Sequence, residues 1–241
     1  MHQVRFRDSA GLVRSGEWEE STIEFGGRTY NPHSVDILPP SDPDKIIVLD
    51  KNQKKAVELS GINPSVPRLY VKTPNAAMGH GGTVTVPDPA DQLIIEAELG
   101  VVIGKQAKNV HRDDAMDYVA GYTCVDDLLI DAEFEDDPAA IRENNFDNCN
   151  PFGPVVVPPE EVPESPDVEL RIDSEFRREA DLSEQIFSTP EIIESVTQYL
   201  TLEEGDVIIT GSPMEPCTVN GGERVEITIE GIGTLEHSIG T

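Results

Sequence analysis

The 241-residue chain carries 46 acidic against 18 basic residues, a formal net charge of −28, and 37% of its residues are hydrophobic. A field of this sign repels nucleic acid and anionic membranes, so neither is expected as a partner. No apolar run approaches the length that spans a bilayer, and the N-terminus has no hydrophobic signal region, so we expect a cytoplasmic protein.

The acidic residues are spread along the whole chain rather than gathered into a tail. Such a surface destabilises the folded state by self-repulsion unless salt screens it, so the composition is typical of a high-salt cytoplasm. The three cysteines, Cys124, Cys149 and Cys217, are widely spaced and form no C-x-x-C pair. We therefore expect reduced thiols rather than a disulfide framework or a zinc site.

The first 43 residues predict a small β module followed by a linker. Polar and apolar residues alternate around Val4 and Phe6 and again from Trp18 to Phe25, with Ser-Gly and Gly-Gly turns between them. Prolines at positions 39, 40 and 43 then interrupt the pattern. We therefore predict a module and linker over residues 1–43 and a larger core domain over residues 44–241.

The core domain has the pattern of a β-rich α+β unit. Strands are predicted at 46–49, 83–86, 93–103 and 122–125, with a closing hairpin at 224–229 and 233–237. Helical spacing occurs at 113–120, and a second helix is predicted to begin at Ser188, where Glu191 completes a capping-box pattern. The residues predicted for the inner face of this second helix are Ile192, Ile193, Val196, Tyr199 and Leu200.

Two glutamates lie on the longest predicted strand. In the run IIEAELGVVIG, residues 94–104, successive side chains alternate, so Glu96 and Glu98 share one face about 7 Å apart. Carboxylates on a strand that is apolar on both faces are costly unless a cation or hydrogen-bond donors compensate them. Oxygen-only ligation suits a hard cation such as Mg²⁺, Mn²⁺ or Ca²⁺. The same spacing also arises by chance in so acidic a chain, so a purely structural role stays open.

A third carboxylate follows another apolar run. Asp126 and Asp127 come directly after GYTCV, residues 121–125, and therefore lie at the end of a predicted strand. Strand ends are where sheet scaffolds present functional groups. The alternative interpretation of this pair is a turn or a helix cap.

Several segments of the core domain occur in the order that one known family shows. They are E-x-E-L-x-V-V-I-G at 96–104, Asn109-Val110 and residues 115–123 with Asp127, Phe146-Asp147 with Gly153-Pro154, TLEEGDVIITGSP at 201–213, and Glu230-Gly231-Ile232-Gly233. Together they resemble the fumarylacetoacetate hydrolase (FAH) superfamily over nearly everything from residue 44 onward. The acidic composition makes the chain resemble a divergent member of a haloarchaeal type.

The resemblance implies an FAH-like mixed β-sandwich or roll core, a homodimer, and a divalent metal held by Glu96, Glu98 and Asp127. Mg²⁺ or Mn²⁺ is implied, with Ca²⁺ as an alternative. Members of this superfamily act on 2-oxo acids and β-diketones as hydrolases, decarboxylases, isomerases or dehydratases. The implied chemistry is polarisation of a 2-oxo-carboxylate and stabilisation of the enolate that forms from it.

The resemblance also implies substrate contacts. Lys72, in the run VKTP, matches the family's K-P element, with an ordinary surface lysine as an equal alternative. Thr210 and Gly211 match the loop that lines the family's pocket. His80, in the loop GHGG, is a candidate base, with an ordinary loop histidine as the alternative.

The chain departs from the family at catalytic positions. Ala56 and Leu59 stand where the resemblance places the histidine and glutamate of N-Y-x-x-H-x-x-E, and Asn144 stands where it places a lysine. Asp126 replaces an asparagine, and residues 128–134 replace an S-x-R-D-type run. A general acid or base is typically worth about 10²–10⁴-fold in rate, so the usual hydrolytic mechanism lacks its base.

Two functions follow as alternatives. The first is a metal-dependent enzyme that acts on a small 2-oxo acid or dicarboxylate through a metal-stabilised enolate. Its reaction would be of the isomerase (2-hydroxyhepta-2,4-diene-1,7-dioate), decarboxylase or acylpyruvate hydrolase type. The second is a catalytically silent homologue that binds metal and a metabolite or partner.

Overall fold

Strands form most of the regular structure in the computed structural model, which describes residues 2–19, 21–88, 90, 92–130 and 141–241. The strands of the first half are β1 (His2–Arg7), β2 (Val13–Glu19), β3 (Thr22–Phe25), β4 (Arg28–Tyr30), β5 (Asp36–Ile37), β6 (Ile46–Asp50), β7 (Arg68–Lys72), β8 (Ala77–Met78), β9 (Thr83–Val84) and β10 (Gln92–Ile95). Those of the second half are β11 (Ala97–Ile103), β12 (Val119–Asp126), β13 (Leu129–Ile130), β14 (Asn150–Val157), β15 (Asp167–Ile172), β16 (Glu175–Asp181), β17 (Val207–Ile209), β18 (Cys217–Asn220), β19 (Arg224–Ile229) and β20 (Gly233–Ile239). The helices are α1 (Lys54–Ser60), α2 (Ile141–Asn144) and α3 (Thr189–Tyr199). The predicted β-rich α+β class is confirmed.

The described strands form three sheets, of which the smallest is antiparallel and the other two are mixed. The largest runs β4-β3-β2-β1-β14-β12-β11-β17-β6-β7, a small one runs β13-β10-β18, and a third runs β16-β15-β19-β20-β9. The N-terminal strands belong to the largest sheet, because Gln3 of β1 pairs with Val156 of β14. The domain boundary after residue 43 stays a prediction.

Helix α3 covers one face of the largest sheet. Glu191 accepts a hydrogen bond from the Ser188 N–H at 3.0 Å, which confirms the predicted capping box. Ile192, Ile193 and Val196 are buried in the cluster that also contains Ile47, Val101 and Ile208 of strands β6, β11 and β17. The second core cluster is larger, and Phe6, Ile23 and Phe152 are among its fully buried members.

The prediction that Tyr199 and Leu200 lie on the inner face of α3 is wrong. Tyr199 is 77% exposed and Leu200 is 36% exposed. The helix ends at Tyr199, and Leu200 has the extended backbone of a C-cap, with φ −112° and ψ 144°. The helical period therefore stops before Leu200, and Tyr199 is exposed at the C-terminal end of the helix.

The predicted strand over 93–103 is interrupted at Glu96. Strand β10 ends at Ile95 and pairs in the small sheet, whereas β11 begins at Ala97 and pairs in the largest one. The Glu96 carbonyl instead accepts a hydrogen bond from the Asp127 N–H at 2.9 Å. The chain therefore changes sheets at a residue that is a predicted metal ligand.

Other predicted elements keep their place with altered bounds. The helical spacing at 113–120 becomes a 3₁₀ helix over Arg112–Tyr118, because Val119 pairs with Ile103 and begins β12. The strand predicted at 83–86 is the short β9, and the closing hairpin is confirmed as β19 and β20. Within the described part of the chain, no helix has the length and apolar character needed to cross a membrane.

Candidate metal site and its cavity

Three carboxylates converge where strands β11 and β12 meet the small sheet. Glu96 lies in the break before β11, Glu98 lies within β11, and Asp127 follows the last residue of β12. Ala97 pairs with Asp126 across the two strands, which brings the ends of the segments together. One ligand oxygen from each of the three side chains lies within 4.8 Å of the others. The structure thus brings together all three predicted metal ligands.

The cluster concentrates negative charge in a buried place. Burial, and after it the Asp127 charge, raises the pKa of Glu96 to about 7. The same causes raise the pKa of Glu98 well above its usual value, although its carboxylate accepts a hydrogen bond from the Gly211 N–H. Two carboxyl groups that resist ionisation indicate that the protein alone does not fully compensate this charge.

The buried Lys72 ammonium opposes the carboxylates, and Lys51 opposes the charge of Glu96 as well. Lys72 is fully buried and its Nζ contacts the Asp127 carboxylate. Burial disfavours its charged form, but the Asp127 carboxylate more than offsets this and the pKa of Lys72 is raised. Its Nζ also lies 3.9 Å from the Sγ of Cys149, where burial raises the thiol pKa to about 11. A divalent cation ligated by oxygen would supply the missing positive charge, so these residues fit such an ion.

A cavity of about 640 Å³ opens over the cluster. Glu96 and Glu98 line it, and so do Ala56 and Leu59 of α1 and Asn144 of α2. The three positions at which the chain departs from the expected histidine, glutamate and lysine therefore face the same space as the carboxylates.

Comparisons with known proteins agree with this arrangement. Residues 45–240 match the family described as fumarylacetoacetate (FAA) hydrolase, C-terminal. The chain belongs to the fumarylacetoacetate hydrolase family. A relative in Pyrococcus horikoshii is 36% identical over 204 residues, which cover 82% of this chain and 88% of the relative.

Solved structures of the FAH family share the fold. The 2-hydroxyhepta-2,4-diene-1,7-dioate isomerase from Mycobacterium marinum is 27% identical with a TM-score of 0.87, covering 100% of this chain and 98% of its own. The maleylpyruvate hydrolase from Sphingobium sp. SYK-6, in complex with manganese(II) ion and pyruvate, is 22% identical with a TM-score of 0.82 and covers 100% of both chains. The predicted superfamily is confirmed, whereas the haloarchaeal type, the high-salt habitat and the homodimer stay predictions.

The loop after β17, which the FAH resemblance implied as a substrate contact, holds Glu98 in place. Gly211 lines the cavity and has a φ of +93°, a conformation that favours glycine, and its N–H is donated to Glu98. The Thr210 hydroxyl is buried and donates to the Leu99 carbonyl at 3.1 Å. A direct substrate contact by either residue stays a prediction.

The implied contact between Lys72 and a substrate carboxylate also stays a prediction. The Lys72 ammonium contacts Asp127 and Cys149, and the side chain is not among those that line the cavity. In the folded chain it pairs with a buried protein carboxylate.

Sequence reasoning missed the donors that orient Asp127. The Tyr70 hydroxyl donates to one carboxylate oxygen at 3.0 Å, and the Asn150 side-chain amide donates to the other at 3.0 Å. Burial, with the Asp127 charge next, raises the pKa of Tyr70, so its phenol stays protonated and donating. Tyr70 could have been found from the sequence, because it lies two residues before Lys72 and alternation places both on one face of β7.

Asp126 occupies the position of the family's asparagine and belongs to a different interaction. Its carboxylate lies 2.7 Å from the Nε2 of His237, and both side chains are buried. Burial raises the pKa of Asp126 even though His237 opposes this. The substitution therefore joins β12 to β20 rather than adding a fourth ligand to the cluster.

His80 lies in a separate cavity of about 930 Å³, which Trp18 and Glu236 also line. Its Nδ1 accepts a hydrogen bond from the Glu236 N–H at 3.1 Å, and burial lowers the pKa of its imidazole. Its role as a base stays a prediction without a contact to the carboxylate cluster. Of the predicted departure at 128–134, residues 131–134 lie outside the described residues.

The raised pKa of Glu96 makes the stability of the metal-free protein depend on pH. This carboxyl ionises near 4.5 in the unfolded chain and near 7 in the folded one. The folded state therefore binds more protons in that window, and we expect a contribution of about 3 kcal/mol that is present below pH 4.5 and lost as pH rises through 7. Mn²⁺ affinity should rise over the same window, because the ligand must lose its proton.

Thermal unfolding with a chelator present, from pH 4.5 to 8, measures this effect. The Glu96→Gln variant is the control, because it keeps the shape of the side chain without the titration. The difference in unfolding free energy between wild type and variant should change between pH 4.5 and 8. If stability depends on pH in the same way in both proteins, the titration does not belong to Glu96.

Proposed function

We propose that the chain is a metal-dependent enzyme that acts on a small 2-oxo acid or dicarboxylate. The observation that carries the proposal is the buried cluster of Glu96, Glu98 and Asp127 beside a 640 Å³ cavity. Its all-oxygen donor set suits Mg²⁺ or Mn²⁺, with Ca²⁺ as the alternative. The manganese(II) ion and pyruvate in the Sphingobium hydrolase support this choice of ion and substrate class.

The chain's own residues would position the ion. Tyr70 and Asn150 donate to Asp127, and the Gly211 N–H donates to Glu98, so the ligand carboxylates are oriented before any ion arrives. When bound, the ion supplies Lewis acidity, which polarises a 2-oxo-carboxylate and stabilises the negative charge of an enolate. Ala56 and Leu59 of α1 present apolar surface on one wall of the cavity.

The lining favours reactions that need few proton-transfer groups. Ala56 and Leu59 cannot accept a proton, and they occupy the positions implied for the family's histidine and glutamate. Hydrolysis requires a base that activates water, whereas decarboxylation of an oxo acid depends chiefly on stabilising the enolate, and isomerisation additionally moves one proton between two atoms of the substrate. An isomerase or decarboxylase activity is therefore favoured over acylpyruvate hydrolysis, and the isomerase from M. marinum is a precedent among the structural neighbours.

The same lining supports the second candidate, a silent homologue that binds metal and a metabolite or partner. In the described part of the chain, no histidine lines the cavity. If proton transfer is required for every reaction of the family, this protein would bind its ligand without converting it.

Metal removal tests the two candidates. With Mn²⁺ or Mg²⁺ in concentrated salt, we expect turnover of oxaloacetate or of an acylpyruvate, which a chelator should abolish and added ion should restore. Turnover that persists after chelation would contradict a metal-dependent reaction. Saturable Mn²⁺ binding without turnover of either substrate would favour the silent homologue.

A further inference from the structure

Apolar side chains form part of the cavity wall contributed by α1 and by the loop after β17, where the polar lining residues are Lys55, Ser60, Ser212 and Glu215. Helix α1 buries none of its residues in the core, and its Ala56 and Leu59 line the cavity instead. Pro213, Met214 and Pro216 line it from the loop that follows Gly211. A ligand held by the carboxylate cluster at one end can therefore pack a hydrocarbon tail against these apolar side chains.

The lysines of the lining are already paired with acidic side chains. The Nζ of Lys51 lies 2.9 Å from an oxygen of Asp50, and the Nζ of Lys55 lies 2.9 Å from an oxygen of Glu215. No arginine and no other lysine is among the described residues that line the cavity. The residues outside the described ranges contain no lysine or arginine in their sequence.

A second carboxylate on the ligand would therefore be poorly compensated. It would compete with Asp50 or Glu215 for a lysine. The new ion pair would add little binding free energy relative to the ion pair that it replaces. The second carboxylate would also lose water beside the apolar side chains of this wall. A methyl group in the same place buries apolar surface against Leu59 and Met214.

We propose that the site selects a 2-oxo monocarboxylate with an uncharged apolar tail and discriminates against a tail that ends in a second carboxylate. This selectivity rests on the proposed function, since the metal site holds the 2-oxo-carboxylate end. An apolar pocket distinguishes ligands by about 10–200-fold for a single methylene, so we expect at least about tenfold between the two tails.

The test is binding of two ligands of equal length to the Mn²⁺-loaded protein in concentrated salt, measured by titration calorimetry. The first is 2-oxoheptanoate, whose tail ends in a methyl group, and the second is 2-oxoheptanedioate, whose tail ends in a carboxylate. We expect the first to bind at least about tenfold more tightly. Calorimetry measures this preference whether or not either compound is turned over.

A pair of variants separates the cavity from the overall charge of the protein. Leu59→Lys places a cation in the cavity lining, and Val66→Lys adds the same charge outside it; the two side chains are 72% and 65% exposed, so neither change disturbs the core. We expect Leu59→Lys to improve binding of the dicarboxylate about tenfold or more relative to the monocarboxylate. Val66→Lys should leave the ratio at its wild-type value.

Equal binding of the two ligands, or an equal effect of the two variants on the ratio, would overturn the proposed selectivity. Metal-dependent binding of the 2-oxo-carboxylate would then still stand. Binding of neither ligand, with or without Mn²⁺, would overturn the proposed function and the selectivity together.

Discussion

Replacing Glu98 with glutamine is expected to weaken Mn²⁺ binding by at least about 100-fold and to abolish metal-dependent turnover. Changes to residues that only support metal ligands already cost about 10–100-fold in affinity, so loss of a charged ligand should cost at least as much. Glu98 is 1% exposed and belongs to the carboxylate cluster, so water cannot easily take its place.

The glutamine variant should nevertheless fold. Its side-chain oxygen can still accept the Gly211 N–H, and the buried repulsion that raises the pKa of Glu98 is removed. Wild type should gain about 2.7 kcal/mol of stability when Mn²⁺ is present at 100 times its dissociation constant, and the variant should gain almost none. Calorimetric titration and thermal unfolding with and without Mn²⁺ measure both quantities.

A matched control lies in the same cavity. Glu215 lines the cavity and pairs with Lys55 at 2.9 Å, but it is outside the three-carboxylate cluster. Glu215→Gln should therefore keep wild-type Mn²⁺ affinity. Unchanged Mn²⁺ affinity in Glu98→Gln would contradict a metal site at the cluster. An equal loss of Mn²⁺ affinity in the two variants would contradict it as well.

Replacing Lys72 with methionine is expected to destabilise the metal-free protein by about 3–5 kcal/mol, because the Asp127 charge is left buried without its ammonium partner. Both side chains are fully buried, so solvent cannot replace the lost pair. Hydrogen bonds from Tyr70 and Asn150 remain, but they supply no positive charge. Mn²⁺ should recover part of the loss, because a bound cation takes over the compensation.

Chemical denaturation of the metal-free variants measures the effect. Lys54→Met is the control, since Lys54 pairs with Glu184 at the surface, where both side chains are 58% exposed, and its loss should cost less than about 1 kcal/mol. The double variant Lys72→Met with Asp127→Asn should recover much of the stability, because no buried charge then remains unpaired. A cost for Lys72→Met as small as that of Lys54→Met would show that the buried pair contributes little.

The parts of the site that could be predicted from the sequence are local or follow a known order of motifs. Alternation along a strand put Glu96 and Glu98 on one side, and the family resemblance added Asp127 from a segment about 30 residues away. The same resemblance identified Ala56 and Asn144 as departures, and both line the cavity.

The parts that could not be predicted depend on long-range contacts. No glycine or proline signals the interruption at Glu96. There the Glu96 carbonyl accepts a hydrogen bond from the backbone N–H of Asp127, which is a long-range contact. The family's K-P element implied a substrate contact for Lys72, and no local pattern indicates its partner, Asp127, which lies 55 residues away along the chain. In the same way, no local pattern indicates that Lys55 is paired with Glu215.

The interruption at Glu96 has a counterpart at Asp127. Glu96 connects β10 of the small sheet to β11 of the largest sheet, and Asp127 lies in the connection from β12 of the largest sheet to β13 of the small one. These two connections cross between the same two sheets in opposite directions, and each carries a carboxylate of the cluster. A cation bound by both would act as a cross-link between the sheets. Separating them would break its coordination, so retention of the ion and rigidity of this junction would be thermodynamically coupled.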